Sequence, residues 1–449
     1  MEWLLLKSAP EPRMFQSAVS TAQVAKFRYT QLAKKTSDKD KTTKLRGGKD
    51  CMFTWEKKIW KLICDHLLII LIIGATLLSL IARWPMRSFL SNDMKNYLLL
   101  WFEQIKSQGG FSALKEQVGN YNIPYQTLIA LLVHMPLDPI LLYKISSSIF
   151  DFLQAYFLYL LVRDITQDKL KACLTYAIAV NLPTVMLNSC IWGQCDSIYT
   201  CFCILSLYFC FKEKYSWSFI FIGVAFSFKL QTIFLLPFLL FMYVYKKQFS
   251  FIQLLWIPLV MLIMSLGGLL QGRPIDSIIK IYINQVYDKP EMSLNYPSLW
   301  ALMINNRTTE FYQNMRWYAI LLTVFMLLFL TIIFLYRRKE YSNRILLEIS
   351  FLMVYICVFT LPAMHERYGY MYIIIGLAII MYQRKLILPY IILLIMDNII
   401  YADFLFQLKP NWQVLAVINA LCISAVMWIV IKDALNNEIP IRGTIAAYR

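Results

Sequence analysis

Charge is scarce in this 449-residue sequence: Asp, Glu, Lys and Arg make up 16% of it, against 59% for hydrophobic residues. Soluble domains carry about 25% charged residues, so a soluble globular fold is excluded, and the mean hydropathy of +0.54 makes the bilayer the solvent. The signatures of nucleotide-driven and metal-dependent soluble enzymes are also missing. There is no glycine-rich phosphate loop, no nucleophile elbow and no His-Glu-x-x-His pair. The ten cysteines are scattered through mostly apolar stretches without paired-ligand spacing, which argues against zinc or an iron cluster. They read as small apolar fillers; Cys190 and Cys195 flank one turn and have the spacing to pair, but the expectation for them too is free thiols. No internal repeat and no cleavable signal peptide is evident.

What is present is a succession of apolar stretches from Leu67 almost to the C-terminus, parted by short polar breaks. A spanning helix needs about 20 mostly apolar residues, so the expected fold is all-α, a multi-pass transmembrane bundle of about twelve spans, with eleven to thirteen as the range. The spans are predicted at 67–82, 140–162, 171–188, 196–211, 215–229, 231–245, 251–271, 317–336, 345–362, 369–382, 387–403 and 412–431. The net charge of +17 invites a nucleic-acid reading, but the basic residues lie on one side of this threading. Fourteen fall between Lys7 and Lys61, and others at Arg163/Lys169/Lys171, Lys246/Lys247, Arg337/Arg338/Lys339/Arg344 and Arg384/Lys385. By the positive-inside rule both termini are cytoplasmic in a cell-membrane protein. Residues 1–51 read as a basic, disordered cytoplasmic tail able to lie on anionic lipid, and 52–449 as one membrane domain.

Two long loops fall on the opposite, outer face. The first, about 83–139, holds an amphipathic stretch at 93–107 with Tyr97, Leu98, Trp101, Phe102 and Ile105 on one face, expected to lie along the interface. Its second half, 120–134, is apolar but too short to span and reads as re-entrant or interfacial. The second loop, 272–316, carries Arg273, Tyr282, Asn284, Asn295, Tyr296 and Trp300.

An ionisable residue at membrane depth costs about 2.5–3.5 kcal/mol on insertion scales and calls for a partner or a purpose. Ser91-Asn92-Asp93 reads as a helix N-cap or as a carboxylate general base at the water–lipid boundary. The run 188–197, Asn-Ser-Cys-Ile-Trp-Gly-Gln-Cys-Asp-Ser, reads as a glycine-ended helix followed by a cap, or as a sugar grip in which Trp192 stacks while Gln194 and Asp196 hydrogen-bond. Lys229 with Gln231 is either a snorkelling lysine or, because it emerges on the outer face, a fixed cation for a phosphate. His365-Glu366-Arg367 sits in a turn too short to be mere solvated loop, and Arg367 and His365 suit a phosphate or leaving group. Tyr121 and Asn122 open a Pro-marked turn. Asp151, which follows Lys144 on the same helical side, and Asp397 read as interhelical hydrogen-bonding residues.

These motifs resemble the GT-C superfamily of multi-spanning glycosyltransferases that use polyprenyl-phosphate sugars, and within it bacterial proteins related to the mannosyltransferase that adds the second mannose of the GPI anchor. The resemblance lies in Asp93 after the first helix, Gly109-Gly110-Phe111, the 120–125 stretch Asn-Tyr-Asn-Ile-Pro-Tyr, Trp192 to Ser197, Phe228-Lys229-Leu230-Gln231 and Met364 to Tyr368. Asn92 stands where a glycine is usual and Ile123 where a proline is common; neither removes a functional group. The resemblance implies an inverting transfer of a hexose, mannose-type favoured, to a hydroxyl on a glycan or glycolipid acceptor. It assigns Asp93 as the base, Arg367 to the donor phosphate with Lys229, His365, Glu366, Gln231 and Arg273 as helpers, and Trp192, Gln194, Asp196, Tyr121 and Asn122 to sugar or acceptor. No cofactor, no metal and no nucleic-acid partner is expected; the partners are the lipid-linked donor, the acceptor and the bilayer. A transporter or flippase of a lipid-linked sugar is the alternative, although it would gather polar residues at the midplane, and a non-catalytic subunit would make Asp93 dispensable.

Overall fold

The computed structural model describes residues 53–336 and 340–436, so the predicted tail and Arg337, Arg338 and Lys339 lie outside the described residues. The chain divides into two units, one ending at His66 and one beginning at Leu67. In the first, the described element is helix α1 (Thr54–Asp65), whose Glu56 carboxylate accepts from the Phe53 N–H at 2.7 Å and so satisfies one of the free donors of a helix start.

Among its described residues, the second unit is all-α apart from one strand pair. Its main helices are α2 (Leu67–Arg83), α3 (Leu99–Ser107), α4 (Ile123–Leu132), α5 (Pro139–Thr166), α6 (Lys169–Asn181), α7 (Asp196–Phe211), α8 (Tyr215–Phe228), α9 (Leu236–Lys246), α10 (Trp256–Met264), α11 (Ser277–Tyr287), α12 (Thr309–Tyr336), α13 (Asn343–Thr360), α14 (Tyr370–Ile380), α15 (Ile387–Phe406) and α16 (Trp412–Asn436). Apolar runs become helices here because lipid offers no partner to backbone N–H and C=O groups, which must bond within the segment.

Each predicted span coincides with a helix or a broken helix. Among the described residues, six helices are long and apolar enough to cross a membrane, and a seventh crossing results if α6 and the segment Pro183–Trp192, bent by 43°, are taken as one span. The others are shorter: α14 has 11 residues, or about 16 Å at 1.5 Å per residue. Hydropathy reads such a helix as a span, but nearly all of it is enclosed by other helices rather than by lipid. With α13, it forms the centre of the main apolar core. At the periphery, α12 presents Leu321, Phe325, Leu328 and Ile332 outward, as a lipid-facing helix must.

The described basic breaks meet at one end of the bundle. Asp164 pairs with Arg163 at 3.0 Å and Lys212 at 2.6 Å, Glu213 with Lys246 at 3.2 Å, and Asp433 with Lys385 at 2.9 Å. Helices α7, α8, α9 and α13 run between this end and the polar motifs, so those motifs occupy the other end.

At that end, residues 94–107 are helical as predicted, but begin with a π-helical turn, Met94–Leu98. Leu98, Trp101, Phe102 and Ile105 are buried, whereas Tyr97 is 51% exposed. Tyr97 stands at the edge of that face, its ring centroid 6.1 Å from that of Trp101. The apolar part of 120–134 is α4, with Pro124 in its first turn, where its missing N–H is harmless. The second loop is not merely loop. It contains α11, the strand β1 (Ser293–Leu294) and a 3-10 turn at Leu299–Leu302, and α12 starts at Thr309, ahead of the predicted 317. Strand β1 pairs in parallel with β2 (Met364–His365), Ser293 against Met364, fastening this loop to the His365-Glu366-Arg367 turn.

Asp151 does not share its partner with Lys144. The Arg83 guanidinium donates to Asp151 Oδ2 at 3.0 Å and to the Val180 carbonyl at 2.9 Å, while Lys144 Nζ donates to the Met86 and Phe89 carbonyls at 2.8 and 2.6 Å. Val180 lies just before the break at Pro183, where the regular helical bonding of α6 stops. Arg83 thus joins α2, α5 and that break. Removing one member of a buried ion pair costs about 3–5 kcal/mol because the other is left uncompensated. Arg83→Leu is therefore expected to destabilise the detergent-solubilised protein by about that amount in thermal or denaturant unfolding, and Arg83→Leu/Asp151→Leu to regain much of it.

Candidate functional site

Two irregular turns build the site. In the first, Ser91 does the capping: its Oγ accepts from the Met94 N–H at 3.1 Å and donates to the Trp192 carbonyl at 2.8 Å. Asp93 makes no capping bond. The cap expected at 91–93 is thus made by Ser91, and the Asp93 carboxylate is left to other partners. In the second turn, π-helical Leu187–Trp192 ends at Gly193 in the left-handed region, φ 76°. Such a turn directs Gln194 back towards Asp93 before α7 begins at Asp196.

Asp93 Oδ2 accepts from Trp192 Nε1 and from Gln194 Nε2, both at 2.8 Å, and lies 3.9 Å from Arg367 Nη2. Its side chain is 18% exposed. No hydrogen bond reaches Oδ1 from the described residues. Gln194 Oε1 accepts from Arg367 Nη1 at 2.5 Å and from the Tyr121 hydroxyl at 2.9 Å. The amide therefore joins the carboxylate to the guanidinium. Arg367 Nη1 is also 3.6 Å from Asp196 Oδ2, and its Nε is 3.8 Å from Glu366 Oε1. That Nε is buried without a hydrogen-bond partner among the described residues. His365 Nδ1 lies 3.6 Å from the other Glu366 oxygen.

Asp196 is fully buried. Its Oδ1 pairs with Lys229 Nζ and its Oδ2 accepts from Asn188 Nδ2 at 2.9 Å. Lys229 is extended, φ −154°, between α8 and the 3-10 turn Leu230–Leu235, which turns it inward; it does not snorkel. The carboxylates Asp93, Asp196 and Glu366 outnumber the permanent cations Lys229 and Arg367 by one. Burial opposes the charge on Glu366, but the His365 contacts and Arg367 outweigh it and hold its carboxyl below the usual range. Burial likewise opposes the Arg367 charge, and the surrounding Tyr121, Asp196, Asp93 and Glu366 raise its pKa well above the usual value.

Several predicted residues take other places. Trp192, read as a stacking surface for sugar, is wholly buried, stacked on Phe404 at 4.1 Å with the Arg367 guanidinium 5.0 Å from its ring centroid. Its indole N–H serves Asp93. Asp196, read as a sugar contact, has its oxygens engaged as described. Asn122 braces α11, donating to the Tyr282 hydroxyl at 2.8 Å and accepting from Gln285 at 3.2 Å. Arg273 ties the two long loops together through Gln117, Gln126 at 3.0 Å and the Glu116 carbonyl at 3.2 Å, and among the described residues it makes no hydrogen bond or ion pair to the Asp93 cluster. Gln231 is buried beside the Tyr368 hydroxyl. Cys190 and Cys195 are both free thiols. Sequence reasoning missed Asn188, Tyr401 and Phe404 as cluster members. Asn188 has a faint signal as an amide inside an apolar run, but the α15 aromatics look like any lipid-facing residues until the bundle folds.

Gly193 is needed twice over. A Cβ there would meet Met94 Cε at 2.3 Å, and a left-handed non-glycine residue costs about 1–2 kcal/mol. The strain falls between Asp93 and Gln194. Gly193→Ala is expected to lower stability by about 1–2 kcal/mol and turnover by about 10²-fold, as for a 1 Å misplacement, read from unfolding and initial rates on the same preparation.

No curated protein matches this chain. The profile of glycosyltransferase family 87 matches residues 124–362, more than half of the sequence; it includes Trp192, Gln194, Asp196, Lys229 and Arg273, with Asp93, Tyr121 and Asn122 before it and His365, Glu366 and Arg367 beyond it. An all-α membrane protein covered to this extent belongs to glycosyltransferase family 87.

Proposed function

We propose that this glycosyltransferase moves a hexose, mannose-type favoured, from a polyprenyl-phosphate-linked donor to a hydroxyl on a glycan or glycolipid, with inversion, on the extracytoplasmic face of the cell membrane. The observation that carries the reading is the pairing of Asp93 and Arg367 across Gln194, with Asp93 Oδ1 left to accept a proton. The acceptor oxygen attacks the anomeric carbon as its proton passes to Asp93. The bond from that carbon to the phosphate oxygen breaks, and polyprenyl phosphate leaves with the electron pair. Arg367 faces the departing charge, where a fixed cation in a water-poor site acts strongly. Lys229 serves through Asp196, holding the carboxylate that orients Arg367, while His365 and Glu366 set the other side of the guanidinium. Arg273 acts at a distance, by fixing the loop that carries Tyr121.

The reading takes twelve crossings: the six long helices, the bent pair and five of the shorter apolar helices, with α4 left re-entrant. Placing the basic end in the cytoplasm puts both termini there and the Asp93 cluster outside, where nucleotide sugars are absent and a lipid-linked donor is the available substrate. The likeness to relatives of the second GPI-anchor mannosyltransferase motivates the preference for mannose.

Purified protein in proteoliposomes supplied with acceptor is expected to transfer mannose from polyprenyl-phosphate mannose and not from GDP-mannose. Transfer from the nucleotide sugar alone overturns the donor assignment. Movement of intact lipid-linked sugar between leaflets without release of polyprenyl phosphate favours the flippase alternative.

A further inference from the structure

We infer that α11 is a membrane-surface helix, seated in the bilayer at the boundary between headgroups and acyl chains, where it fixes the second outer loop to lipid. The inference concerns lipid contact and stands apart from the sugar-transfer reading.

At 3.6 residues per turn, the sides of α11 separate into three sectors. One packs on the protein: Ile281 is 6% exposed, Tyr282 donates to the Phe226 carbonyl at 2.6 Å and accepts from Asn122, and Gln285 donates to the Asn120 carbonyl at 2.6 Å. The second, Ile279, Ile283 and Val286 with Ile275 one turn earlier, is apolar and exposed, each residue between 48% and 66%. The third is polar and exposed, with Lys280 paired to Asp276 and Asn284 beyond. A helix standing in water has no reason to keep its two exposed sectors apart. A helix lying in the interfacial plane beside a protein needs this division, one side to protein, one to acyl chains and one to water.

The level also fits. Tyr282 bonds the carbonyl of Phe226 in the last turn of α8, and Asn122 stands at the start of α4. Helix α11 therefore lies at the depth where the apolar helices end. The lipid-facing surface of α12 follows in the chain. An apolar stripe at this depth meets lipid; it does not need a second protein to cover it.

The test uses the full chain in nanodiscs, with Cys51 and Cys64 replaced by Ser, and a polarity-sensitive fluorophore attached at Ile279→Cys, Ile283→Cys or Asn284→Cys. The lipids carry a nitroxide high on the acyl chain. Labels at 279 and 283 should be blue-shifted and quenched several-fold more than the label at 284. Equal quenching at all three positions, a water-like signal at 279 and 283, or shielding there without quenching by lipid, which would indicate a protein partner, each overturns the inference. Two apolar positions are used so that a misfolded variant at one leaves the other to decide.

Discussion

Asp93→Asn is expected to lower turnover by about 10²–10⁴-fold, the contribution of a positioned general base, with the donor KM and the unfolding midpoint little changed. The substitution is nearly isosteric. An amide oxygen at the place of Oδ2 still accepts from Trp192 Nε1 and Gln194 Nε2, and Ser91, which carries the cap, is untouched. What disappears is the capacity of this group to take a proton, together with one negative charge near Arg367. The proposed role therefore requires kcat to fall while donor binding holds or tightens, since one of the three carboxylates around the guanidinium has been neutralised. Turnover retained in Asp93→Asn would remove the base and with it the proposed chemistry. A non-catalytic subunit would show that outcome.

Arg367→Ala carries the second large effect. Its guanidinium bonds Gln194 and lies among Asp93, Asp196 and Glu366, so its loss both exposes carboxylates to one another and removes the proposed phosphate contact. A hydrogen bond to a charged group is worth about 1.5–3 kcal/mol, equivalent to a rise in donor KM of about 10- to 150-fold. Loss of a buried charge partner can cost about 3–5 kcal/mol of stability as well, so Arg367→Lys belongs beside it. Lysine keeps the charge and loses the planar fork that reaches Gln194 and phosphate together. Folded Arg367→Lys should show a raised donor KM with a smaller loss of stability. A donor KM unchanged in both variants contradicts the phosphate assignment.

Much of the helical framework was legible because the bilayer imposes a simple rule, apolar length, on any segment that meets lipid. Apolar length does not tell lipid from protein, however: α14 is as apolar as a lipid-facing helix but is 11 residues long and enclosed by others, and α12 begins at Thr309, ahead of its apolar stretch. Asp93, Gln194, Lys229 and Arg367 stood out because ionisable and amide groups are costly among apolar helices. Their pairing was hidden. Nothing local tells Lys229 to face Asp196, 33 residues away in sequence, or turns the Trp192 ring inward while its N–H serves a carboxylate. From sequence Arg83 reads as the edge of a loop because it ends an apolar run; its partner Asp151 lies on another helix, and the break at Pro183 supplies the carbonyl that completes the arrangement.

Whether Asp93 and Arg367 flank one donor site is tested most directly by a structure of the protein in a bilayer with a non-transferable polyprenyl-phosphate hexose bound. The phosphate is expected within hydrogen-bond reach of Arg367 and the anomeric carbon on the side open to Asp93 Oδ1, with space between them for the acceptor hydroxyl. A donor whose phosphate sits on Arg273 or on the basic end of the bundle, with Asp93 remote from the sugar, would contradict it.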